Sequence, residues 1–88
     1  MIEKNKYIET ETYLRKSLKI NKNNYPEDHP NIISTSAELG VVSFYLNRFT
    51  EAENLLIYGY EGVKKIKGYK DHNTIRFLEY LIKLYEKT

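Results

Sequence analysis

The sequence predicts an all-α domain, four antiparallel helices stacked in chain order. Three observations lead there. Apolar residues recur at helical spacing in four segments. Only two prolines and four glycines punctuate the chain, with no Asn-Gly or Asp-Gly hairpin signal between them. The chain also repeats itself: "NKYIETETYL", Asn5 to Leu14, lies without a gap on "NRFTEAENLL", Asn47 to Leu56. Tyr7 falls on Phe49, Glu9 on Glu51, Glu11 on Glu53 and Leu14 on Leu56, a shift of 42 residues. The register continues with Pro26 on Gly68, Asn31 on Asn73, Ile33 on Ile75, Leu39 on Leu81 and Val42 on Leu84. Breakers meet breakers and apolar positions meet apolar positions, the signature of a helical solenoid.

The first helix is expected over roughly 4–22, with Tyr7, Tyr13, Leu14, Leu18 and Ile20 largely on one face and Glu and Lys opposite. "NNYPEDHP" ends it, because Pro26 and Pro30 disfavour continuation, and Asp28 reads as the cap of the next helix. The second helix, 29–46, is apolar on nearly every side, which places it at the centre. Its "GVVSFYL" would also suit a strand, but no second strand exists to pair with it. Asn47 suits a left-handed turn. The third helix covers 49–67, "KGYKDHN" turns the chain, and the fourth covers 72–86. Ile75, Leu78, Leu81, Ile82 and Tyr85 read as the apolar face of that last helix.

Eighty-eight residues allow one small domain, here the whole of 1–88. Without cysteine there is no disulfide framework and no thiolate metal site. A net charge of +2, with both signs interspersed, lacks the basic block of a nucleic-acid footprint. No apolar run is long enough for a membrane span, and "MIEKNKYIET" is no signal peptide, so a cytoplasmic location is expected. His29 and His72 each follow an aspartate, which reads as capping at a turn; neither belongs to a metal motif. "ETET" and "TEAE" put carboxylates two apart, which do not face each other on a helix and read as first-turn acids. With no nucleophile elbow, phosphate loop or zinc motif, no enzyme, cofactor or metal is expected. The nine tyrosines read mainly as packing groups, since no sheet platform or basic groove accompanies them for stacking RNA bases.

"LGVVSFYLNRFTEAENLLIYG" resembles a tetratricopeptide repeat, in the 42-residue form found in kinesin light chains. The family's Leu–Gly pair is met by Leu39–Gly40, its turn residue by Asn47 and the aromatic opening its second helix by Phe49. Ala52, Leu56 and Gly59 meet its small, large and small core positions, and Asp28-His29-Pro30 its inter-repeat "DHP". The resemblance implies a right-handed stack of about two units, with Gly40 and Ala52 facing each other. It further implies non-enzymatic binding of a protein or peptide in a concave groove lined by first helices. The groove positions would be Ser34, Ala37, Glu38, Val41, Phe44 and Tyr45, then Arg76, Glu79, Tyr80 and Lys83. Val41, Phe44 and Tyr45 would supply apolar anchors, and Glu38 and Glu79 would favour a basic partner. Alternatively Val41 and Phe44 are core, leaving Ser34, Glu38 and Tyr45 accessible. A different role is also open: a structural element whose terminal helices stack on a second copy, or a piece of a longer array.

Overall fold

The computed structural model describes residues 4–88. Four helices follow one another: α1 (Lys4–Asn24), α2 (Pro30–Tyr45), α3 (Phe49–Lys67) and α4 (His72–Lys87). No strand occurs among the described residues. Both ends of α4 lie 42 residues after those of α2, so the sequence period is a structural one.

The caps obey the same period. His29 Nδ1 accepts the Asn31 N–H at 3.1 Å to start α2, and Asp71 Oδ1 accepts the Asn73 N–H at 3.3 Å to start α4. Asp28 is therefore not the cap of α2: it lies one residue too early, and the extended backbone that precedes Pro30 belongs to His29. Asn47 adopts φ 63° and turns α2 into α3, its N–H bonding to the Phe44 carbonyl at 3.0 Å. Gly68 ends α3 at φ 88°, a conformation costly to any residue with a Cβ.

α2 lies at the centre, packed against α1, α3 and α4, and α3 also carries α4. Tyr7 meets Tyr45 and Asn21 meets Thr35, so α1 and α2 run antiparallel. Glu38 meets Arg76 and Tyr45 meets Tyr80, so α2 and α4 run parallel. The core joins Ile33, Ala37, Val41 and Phe44 to Ala52, Leu56 and Val63 and to Phe77, Leu81 and Leu84. Close approach of α2 and α3 depends on small residues. A Cβ at Gly59 would lie 2.3 Å from the Ala37 Cβ, and one at Gly62 would lie 2.7 Å from Ile33 Cγ2. At Gly40, expected to face Ala52, the nearest α3 neighbours are Leu55 and Leu56, which a Cβ there would meet at 3.0 Å. The antiparallel crossing sets Gly40 one turn further along α3.

Two helix faces also differ from expectation. On α1, Tyr13 and Ile20 point outward, while Glu11 is buried and Tyr7, Leu14, Ser17, Leu18 and Asn21 are half-buried. These follow the row 7, 11, 14, 18, 21, and Tyr13 sits about 100° round the helix from Leu14. On α4 the buried residues are Thr74, Phe77, Leu81 and Leu84, so only Leu81 of the expected face is inside. The helix is apolar over two adjacent rows, and spacing alone does not choose between them.

Charge ties α1 down where apolar area is lacking. Glu11 accepts from Arg15 Nη2 at 3.0 Å and from Arg48 at the start of α3. Arg15 Nη2 also donates to Glu51 Oε1 at 2.6 Å, and the buried Ser43 hydroxyl donates to the same oxygen at 3.0 Å. "ETET" is thus no first-turn pair, since α1 has no acid in its first turn; Glu51 does occupy the first turn of α3.

Candidate interaction surface

Of the ten positions predicted to line a groove, Ala37, Val41 and Phe44 are buried inside the chain. Phe44 is enclosed by the rings of Tyr45, Phe49 and Tyr80, with centroids 5.3, 6.1 and 5.7 Å away. The reason is the size of the domain: α3 and α4 both bear on this side of α2, leaving no width for an open apolar floor.

The structure draws five of the other seven into one patch across α2 and α4. Glu38 and Arg76 form a two-pronged ion pair at 2.6 and 3.1 Å. The Tyr45 and Tyr80 hydroxyls share a hydrogen bond of 2.9 Å, and Lys83 Nζ stands 5.2 Å above the Tyr80 ring. Ser34 and Glu79 remain exposed with no bond to the patch. Tyr7 of α1, which sequence reasoning left out, stacks on Tyr45 at 4.8 Å. Its signal in the sequence, an aromatic matching Phe49, pointed to repeat packing and not to this ledge.

Electrostatics follow the pairing. The Glu38 carboxylate, through its hydrogen bond, holds the Arg76 guanidinium above its ordinary range despite partial burial. Burial first, and then the bond to Tyr45, push Tyr80 up to about 12. Glu38 is already neutralised within the chain, so the expected preference for a basic partner loses one of its two carboxylates. The other, Glu79, lies one turn from Lys83 on the same helix. Such a patch is polar, internally satisfied and half-closed.

A second surface has the opposite character. On α4 the row Ile75, Leu78, Ile82 and Tyr85 is 44%, 39%, 51% and 51% exposed. Their spacing of three, four and three residues makes a straight seam about three turns long. It borders the buried row directly and is edged on its other side by Glu79 and Glu86. Isolated exposed apolar residues need no explanation, but an aligned row of four does.

A cleft of about 780 Å³ also opens between the α1–α2 connection and α3, floored by Ile33, Ile57, Gly62 and Ile66 and rimmed by Glu27 and Lys65. Its lining comes from three separate segments, which is why no motif announces it. No cluster of three metal-ligating side chains occurs among the described residues, and no described helix is long and apolar enough to cross a membrane. Comparison with models of protein families, with characterised proteins and with solved structures returns no match.

Proposed function

We propose that the chain is a non-catalytic protein–protein interaction module, built as a right-handed solenoid fragment of about two tetratricopeptide-like units and working in the cytoplasm. The observation that carries this reading is the exposed α4 seam. A helix that buries one apolar row and leaves the adjacent one in water is built for a further protein surface. The interspersed charge, with Arg15, Arg48 and Arg76 all engaged by carboxylates, favours a protein over a nucleic acid as partner. The test is Leu78→Lys, at a half-exposed seam position. The variant should match wild type in circular dichroism and melting midpoint while losing the proteins that wild type retains from host extract. Equal retention by both would remove the seam from the reading.

A second reading keeps the Tyr7–Tyr45–Tyr80 ledge as the contact surface, where tyrosine rings with polar tips offer rigid area at low entropic cost. It is favoured if Tyr45→Ala, and not Leu78→Lys, abolishes retention.

A further inference from the structure

Resting on the reading of α4 as a binding face, we infer that its partner is the outer face of α1 on a second copy of this chain, joined head to tail. The α2–α3 contact and the internal period together define its geometry. In that contact Ile33 lies on Gly62, Ala37 on Gly59 and Gly40 on Leu55. Shift the α2 residues forward by one period and they become Ile75, Glu79 and Ile82 of α4. Shift the α3 residues back by one period and they become Ile20, Ser17 and Tyr13 of α1. The α2–α3 contact thus specifies how α4 of one copy would meet α1 of the next.

The transposed pairs match chemically at each level. Ile75 meets Ile20, a carboxylate at Glu79 meets the Ser17 hydroxyl, and Ile82 meets the Tyr13 ring. The two apolar side chains needed on α1 are also free, Tyr13 being 69% and Ile20 59% exposed, with the half-buried Ser17 at the edge of the same face. Charge agrees in sign, because the α4 seam is edged by Glu79 and Glu86 while the outer face of α1 around Tyr13 carries Lys6 and Lys16 against the single carboxylate of Glu9. An α4-to-α4 pairing would instead set the same acidic edge against itself. Isoleucines replace glycines at Ile82 and Ile20, so the two helices must sit further apart than α2 and α3 do. The contact is consequently looser, and association should be weak and concentration-dependent.

A head-to-tail contact uses two different faces and leaves one of each open, so it need not stop at a dimer. Sedimentation of the whole chain from about 10 μM to about 1 mM should show mass rising past the dimer. Ile82→Lys, which blocks the α4 end, and Ile20→Lys, which blocks the α1 end, should each weaken association at least about tenfold. Mixed together they should form a dimer and nothing larger, because one productive pair of faces survives. Circular dichroism of both variants checks that the fold is kept. A wild type monomeric throughout overturns the inference, with Leu78→Lys still free to decide whether α4 binds a different protein. A dimer plateau insensitive to Ile20→Lys overturns it in favour of α4 pairing with α4.

Discussion

At Gly59 the space for a single methyl group is missing: it would fall 2.3 Å from the Ala37 Cβ and 2.9 Å from its Cα. The second atom is backbone, so relief requires α2 and α3 to move apart. Gly59→Ala should therefore destabilise by roughly 1–3 kcal/mol, the range for overpacking a close contact. Gly68→Ala makes a useful contrast, since its surroundings are open and only its φ of 88° opposes a side chain. With ψ at 162° that backbone lies in a region essentially restricted to glycine, so the cost is roughly 1–3 kcal/mol, and urea melts of both variants should show two losses of unrelated origin. A Gly59→Ala midpoint equal to wild type would mean that α2 and α3 are further apart than described. Tyr80 gives a second prediction at this scale. Its folded-state pKa of about 12 lies above the roughly 10 of an unfolded tyrosine, so the folded chain holds the proton more tightly. The resulting stability is fully present below pH ~10 and lost as the pH rises through ~12. Tyr80→Phe should flatten the fall of melting temperature across that window relative to wild type. Parallel curves would show that the folded chain holds the Tyr80 proton no more tightly than the unfolded one.

Among the elements, α1 differs from the rest because its only buried residue is charged. It depends on Glu11 and on two arginines whose side chains are nearly half exposed. Ion pairs at that exposure are screened by salt, whereas the α2–α3 contact is not. Amides of α1 should therefore exchange with solvent before those of α2, and 1 M salt, a Debye length of about 3 Å, should widen the gap. Uniform protection across both helices, indifferent to salt, would rule this out. α1 and α4 also show where a sequence stops being informative. Helix existence could be read from periodicity, and the left-handed turn from Asn47. The inward face could not be read on either outer helix. On α1 the buried row contains Glu11, Ser17 and Asn21, which no hydrophobicity argument selects. On α4 both rows are apolar, and only the position of α3 decides that Phe77 goes in and Leu78 stays out.

Over the whole molecule, the four-helix arrangement was legible because breakers and core positions repeat together, whereas the matching caps at His29 and Asp71 emerge only in the structure, the sequence having pointed to Asp28 for α2. The interaction surface was legible only as a set of places. Whether Val41 or Phe44 faces solvent depends on how many helices share α2, a property of the assembled domain and not of the heptad around Phe44. The three-residue turn Leu46–Arg48 has a further consequence, for rates. It joins the two helices with the tightest contact in the chain, so that contact closes the shortest loop and loses the least entropy in forming. Folding should start as an α2–α3 hairpin, with α1 and α4 added after the barrier. Leu56→Ala and Leu84→Ala should each cost about 2–5 kcal/mol, yet appear on opposite limbs of a stopped-flow chevron. The first should chiefly slow folding and the second chiefly hasten unfolding. If both act on the same limb, the hairpin has no kinetic priority. If they separate, the α2–α3 contact sets the speed at which the chain folds as well as the spacing of its helices.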